Sequence, residues 1–115
     1  MTGIIYKICE ADAWSQAERD RVFRGSQVDA RDGFIHFSTA AQVKETALRH
    51  FAGTDCLVLV AVDAGMLGSD LKWEPSRGGA LFPHLYGSVP LKAVLWSKPL
   101  PRDADGRHVF PELAP

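Results

Sequence analysis

Leu57-Val58-Leu59-Val60-Ala61-Val62 is the stretch that decides the fold. It reads as a strand with no polar alternation, bounded by Asp55 and Asp63. A strand facing solvent on one side alternates apolar and polar residues. One that stays apolar throughout is covered on both faces. The run therefore predicts a central strand in a sheet with layers packed on either side.

Moving toward the N-terminus, Gly33-Phe34-Ile35-His36-Phe37-Ser38-Thr39 reads as a short strand running into a helix. Side chains alternate along a strand, so Phe34, His36 and Ser38 share one face and Ile35 and Phe37 the other. Thr39 followed three residues later by Gln42 reads as a capping box. The helix after it carries Val43, Ala47, Leu48 and Phe51 on one side, with Gly53 as its stop. Gly3 to Ile8 predicts a first strand, with Tyr6 and Ile8 on one face and Ile5 and Lys7 on the other. Ala13, Trp14 and Ala17 have helical spacing, giving a helix from Ala11 to about Arg19. Residues 21 to 33 read as a long polar loop.

Toward the C-terminus, Ala64 to Leu67 reads as one helical turn, and Leu71-Lys72-Trp73-Glu74 as a strand ended by Pro75. A glycine-bearing loop over residues 75 to 81 precedes Phe82-Pro83-His84-Leu85-Tyr86-Gly87. When extended, this segment puts Phe82, His84 and Tyr86 on one side. Ala93 to Trp96 is a last strand. The tail over residues 102 to 115 is polar and proline-bearing, the composition of a loosely held terminus. The order β-α-β-α followed by β segments predicts a single α+β domain over residues 1 to 115.

Composition narrows the function classes. The chain has 115 residues, 46% hydrophobic and 23% charged, with 13 basic and 14 acidic side chains. Its net charge of -1 lacks the basic excess of a nucleic-acid binder. No secretory signal precedes the first strand, and no apolar run approaches the ~20 residues of a membrane span. Cys9 and Cys56 adjoin apolar runs and read as buried, reduced thiols of a cytoplasmic protein. No short metal-ligand spacing occurs, so no metal is expected.

Two aromatic-x-His patterns, one before His36 and one before His84, predict imidazoles lining one cleft. His36 also fits a half-buried core histidine, Trp73 a core anchor, and Glu74 a solvated strand end. Thr39 is better explained as a helix cap than as a catalyst. Arg21, Arg24 and Arg31 in one loop, with Arg77 beside Gly78-Gly79, form a possible pyrophosphate clamp through bidentate contacts. Surface arginines on polar loops are the ordinary alternative.

Taken together, the Ile-Tyr-Lys-Ile strand, Gly-Phe-Ile-His-Phe-Ser-Thr, Leu-Lys-Trp-Glu and Phe-Pro-His-Leu-Tyr-Gly resemble an uncharacterised bacterial domain-of-unknown-function family, number 952, over nearly the whole chain to about Pro101. That family's fold is similar to that of ADP-ribosyltransferases. The resemblance implies a bent or split mixed β-sheet with two main helices and a cleft that holds NAD in active enzymes. In such enzymes a first-strand histidine contacts a ribose, and here Lys7 stands at that position. Ser38 and Thr39 match the second-strand element that shapes the nicotinamide pocket. Glu74 is the nearest candidate for the acidic residue that stabilises the ribosyl cation.

The expected catalytic residues are thus His36, His84 and Glu74. Ser38, Tyr86, Lys7, Arg24, Arg31 and Arg77 are expected to bind the cofactor. The expected partner is a small nucleotide-like ligand, NAD among the possibilities, with no nucleic acid and no membrane. Two functions remain open: cleavage or transfer at a ribosyl carbon, and a non-catalytic module that keeps the cleft for a nucleotide or phosphorylated metabolite.

Overall fold

A computed structural model describes residues 3 to 115, apart from the side chain of Arg77. The first strand, β1 (Ile4–Glu10), runs directly into helix α1 (Ala11–Asp20). The helix stops where Arg21 adopts a left-handed conformation, with φ 65°. β2 (Val22–Phe23) and helix α2 (Gln27–Asp32) follow, then β3 (Ile35–His36) and helix α3 (Val43–His50). The remaining strands are β4 (Leu57–Asp63), β5 (Leu71–Pro75), β6 (Leu81–Leu85), β7 (Val89–Pro90) and β8 (Val94–Leu100). A single 3₁₀ turn over Ala64–Met66 fills the place of the predicted helical turn after β4.

β4 lies between β1 and β8, so the apolar run is the central strand of its sheet. Its side chains alternate between two cores. Leu57, Leu59 and Ala61 join Tyr6, Ile8, Val43 and Ala47 on the α3 side. Val60 and Val62 join Ile5, Cys9, Trp14, Ala17, Ile35 and Phe37 on the α1 side. Burial on both faces is why the strand carries no polar residue between Leu57 and Val62.

A second three-stranded sheet has the order β3-β6-β5. It meets the first through a two-way backbone pairing at one point: Tyr6 N–H donates to Ser38 O at 2.7 Å, and Ser38 N–H to Tyr6 O at 2.9 Å. This bridge joins the two three-stranded sheets, and a further two-stranded sheet pairs β2 with β7. Among the described residues every strand pairing is antiparallel, which corrects the expectation of a mixed sheet. Among the described residues there are three α-helices, the two longer ones α1 and α3 and the short α2.

The third helix lies in the segment read as a polar loop. α2 has only six residues and no apolar stripe, so hydrophobic periodicity gave no signal. Local chemistry forms it instead. Ser26 accepts from the N–H of Asp29, and Asp29 accepts from the N–H of Ser26 at 2.8 Å, a complete capping box. Gly33 ends the helix at φ 88°, a left-handed position that glycine adopts without strain.

The predicted Thr39–Gln42 box is only half formed. Gln42 Oε1 accepts from Thr39 N–H at 3.0 Å, but α3 begins at Val43 after a turn, and Gln42 itself is the N-cap. Gln42's amide reaches across to Leu81 O at 2.8 Å. α3 ends at His50 with Phe51 as its C-cap, two residues before Gly53.

Cys9 is buried, and burial pushes its thiol up to about 11. Cys56 is exposed, contrary to the sequence reading, because a left-handed φ of 60° turns the chain just before β4. The C-terminal tail is tied down at several points. Arg102 grips the Asp55 carboxylate with two bonds of 2.7 and 2.9 Å, and the Tyr6 hydroxyl donates to Ala114 O at 2.7 Å. Phe110 and Leu113 pack on the α3-side core.

Candidate functional site

The site is built where α2, β3, β6 and β5 come together. Asp29 faces inward from the capping box and is only 2% exposed. Gly25 lets it approach: a Cβ at position 25, where φ is 105°, would stand 2.9 Å from Asp29 Cβ. The Lys7 ammonium arrives from β1, 3.0 Å from Asp29 Oδ1 and 2.8 Å from Oδ2. His36 adds two contacts to Oδ1, one from its backbone N–H at 3.1 Å and one from Nδ1 at 2.6 Å. Burial by itself would raise the carboxyl's pKa. The bond from His36, the Lys7 ammonium and the Ser26 N–H outweigh it and hold Asp29 far below the ordinary carboxylate range. On the other side of the ring, His36 Nε2 lies 3.0 Å from Asp32 Oδ2.

The second half comes from the β5–β6 pair. His84 Nδ1 is 2.8 Å from Glu74 Oε1, and the same oxygen accepts the Tyr86 hydroxyl at 2.8 Å. The Tyr86 bond first, then the His84 bond, lowers the Glu74 pKa, and the carboxylate raises that of Tyr86 in return.

His36 and His84 are register partners on neighbouring antiparallel strands, and their rings meet edge-on at 5.7 Å. The Phe34 ring joins the two halves. Its centroid is 4.5 Å from His36, 4.2 Å from His84 and 5.3 Å from Tyr86. These four rings form a continuous aromatic face with a carboxylate behind each histidine.

Two depressions lie among the described residues, and neither includes an imidazole of this face. A polar cleft of about 240 Å³ shares Asp29 and Phe34 with the cluster and is also walled by Arg24, Gly33, Leu85 and Gly87. An apolar hollow of about 230 Å³ lies between Ile5, Thr39, Ala41, Trp73 and Pro115. The polar cleft touches the chemistry, and the apolar one does not. Trp73 packs against the α1-side core.

The structure brings together Lys7, His36, Glu74, His84 and Tyr86. Ser38 goes elsewhere: it is buried, and its hydroxyl is bonded to Thr46 of α3 at 2.8 Å. Past His36 the chain leaves the β3–β6 pairing and bridges to Tyr6 of β1, where the Ser38 side chain meets α3 instead of the aromatic face. Arg24 reaches the polar cleft but pairs with Asp20 at 3.0 Å, and Arg31 pairs with Asp32 at 3.1 Å. Both clamp candidates therefore already carry a carboxylate. The side chain of Arg77 lies outside the described residues. Sequence reasoning missed Asp29 and Asp32, which lay in the supposed loop. The Ser-x-x-Asp spacing at 26 to 29 was the signal available for Asp29.

Residues 8–97 match the model of a family described as protein of unknown function, DUF952. The crystal structure of protein CC0527 from Caulobacter crescentus is similar to this chain, with 49% identity, a TM-score of 0.88, and 92% of this chain and 93% of that one covered. The solution NMR structure of the same protein aligns with 50% identity and a TM-score of 0.81, covering 90% of each chain. No curated protein matches.

Proposed function

Because the chain belongs to the DUF952 family, whose function is unknown, its activity has to be read from the site itself, and we propose that the Phe34–His36–His84–Tyr86 face binds a nucleotide-like ligand. The observation that carries this reading is the clustering of three rings around Phe34, each within 6 Å of it, with His36 and His84 5.7 Å apart and carboxylates behind the imidazoles. Tyr86 is exposed and Phe34 and His36 are half-buried, and accessible aromatic rings stack on heterocycles. Imidazole nitrogens bond ribose hydroxyls or move their protons.

Two three-stranded sheets meeting at one bridge beside β1 support the further proposal of an ADP-ribosyltransferase-like cleft. On that view NAD is the substrate to try first, for ribosyl transfer or hydrolysis. The polar cleft, at about 240 Å³, falls below the usual range for an enclosed ligand. A dinucleotide would therefore lie across the face with one moiety inserted.

The alternative, a non-catalytic module, draws support from Glu74, whose carboxylate is already engaged by His84 and Tyr86. We take the protein as cytoplasmic, where both thiols stay reduced. Cell fractionation checks that placement.

Calorimetry with NAD and ADP-ribose tests the reading. His84→Ala should weaken binding by about 1–3 kcal/mol, the cost of leaving a buried polar partner unpaired. Equal affinity in the variant removes His84 from the site, and no binding of either compound rejects the proposal. Turnover of NAD by the wild type would favour the enzyme. Binding without turnover would favour the module.

A further inference from the structure

The two histidines are bonded differently, and the difference gives them different chemical capacities. Both ring nitrogens of His36 face carboxylates, Asp29 at 2.6 Å and Asp32 at 3.0 Å. That ring is held from both sides. Among the described residues His84 is held from one side, through Nδ1 and Glu74 Oε1 at 2.8 Å. The Glu74 carboxylate accepts two hydrogen bonds on this oxygen, and the Tyr86 hydroxyl fixes its position from the far side. An ionised carboxylate can only accept, so the neutral His84 ring carries its proton on Nδ1. Its lone pair is then on Nε2. Phe34 lies against the ring at 4.2 Å and 30°, nearly stacked, and His84 is only 7% exposed. Packing and hydrogen bonding together leave the imidazole one orientation.

We propose that Glu74 is a positioning residue that fixes His84 as the Nδ1–H tautomer, so that His84 Nε2 is the atom that accepts a proton from a ligand hydroxyl or a water molecule. This inference rests on the reading of the aromatic face as a ligand site. It changes the part taken by Glu74, which stands behind an imidazole rather than facing a sugar cation. In the proton transfer, the O–H bond of the ligand or water breaks and its electron pair stays on oxygen. The proton bonds to Nε2. The resulting imidazolium lies against the Glu74 carboxylate, so the charge that develops on the ring is balanced within the pair.

The test needs no ligand. Long-range ¹H–¹⁵N correlation spectra of the full ¹⁵N-labelled chain report which imidazole nitrogen carries the proton. They are recorded where the ring is neutral, and His84→Gln assigns the signals. The wild type should show the Nδ1–H form of His84. Glu74→Ala should make the Nε2–H form the majority, as in free imidazole side chains. Tyr86→Phe removes the hydroxyl but leaves the carboxylate, and should keep the wild-type tautomer. An Nε2–H form in the wild type overturns the proposal, as does an unchanged tautomer in a folded Glu74→Ala. If that variant fails to fold, the wild-type spectrum decides alone. Calorimetry with no nucleotide binding would reject the ligand reading and leave this spectrum unaffected.

Discussion

Asp29→Asn is the substitution that asks most of the structure. The Asp29 carboxylate receives the Lys7 ammonium, the His36 ring, the His36 N–H and the Ser26 N–H, at a residue 2% exposed beside a lysine 6% exposed. Removing one partner of a buried ion pair leaves the other charge uncompensated, at a cost of about 3–5 kcal/mol. Asparagine keeps one acceptor oxygen, so the Ser26 cap survives and its roughly 1 kcal/mol is not added. A domain of this size has about 5–15 kcal/mol in all, so the variant should be folded but close to failure. Each kcal/mol moves the melting midpoint by about 4 °C here, giving a drop of roughly 12–20 °C.

Urea unfolding supplies the measurement, with an unchanged slope as the sign that only stability moved. Lys7→Met should cost less than Asp29→Asn, because Asp29 keeps His36 and Ser26. Adding Lys7→Met to Asp29→Asn should recover part of the loss by removing the stranded ammonium. The coupling expected for such neighbours is about 1–3 kcal/mol. An Asp29→Asn cost below about 1 kcal/mol, or strictly additive effects in the cycle, would refute the claim that this pair anchors α2 to β1.

Acid should act through the same carboxyl. Its folded pKa lies below the unfolded value of about 3.9, so the unfolded chain binds the proton first. The stabilisation is complete above that value and fades as pH falls below about 4; urea midpoints from pH 5 downward should drop more steeply in the wild type than in Asp29→Asn. A thiol reagent should label Cys56 in the native protein and reach Cys9 only after unfolding, because Cys9 is buried with its thiol raised to about 11. Mass spectrometry of the native protein that finds Cys9 labelled first would contradict this. Truncation before Arg102 should lower stability by roughly 2–4 kcal/mol, as Phe110 and Leu113 uncover part of the core beneath them; a melting midpoint within a degree of the full chain would show that the tail contributes nothing.

Much of the frame was legible from residue order. The Leu57–Val62 run announced a strand covered on both faces, because every position had to be apolar wherever it pointed. Tyr6 with Ile8, and Ile5 on the opposite face, divide between the two cores as strand alternation requires. The same rule put Phe34 and His36 on one face, and the repeated aromatic-x-His pattern brought His84 beside them. These features depend on a period of two, which the sequence carries at each step.

What only the tertiary structure decided depends on distances between segments far apart in the chain. α2 has no stripe to announce it, since one capped turn buries a single charged residue and no apolar face. The role of Asp29 follows from Lys7 and His36 converging on it from different strands. Lys7 has no strand-level reason to be buried until that carboxylate is in place. Ser38 meets Thr46 and not the aromatic face because past His36 the chain pairs with Tyr6 of β1 in place of β6. The exposure of Cys56 and the anchoring of the tail likewise reflect a local turn and long-range partners, which composition does not encode. Alternation specifies which way a side chain points; the sheet pairing determines what it meets there.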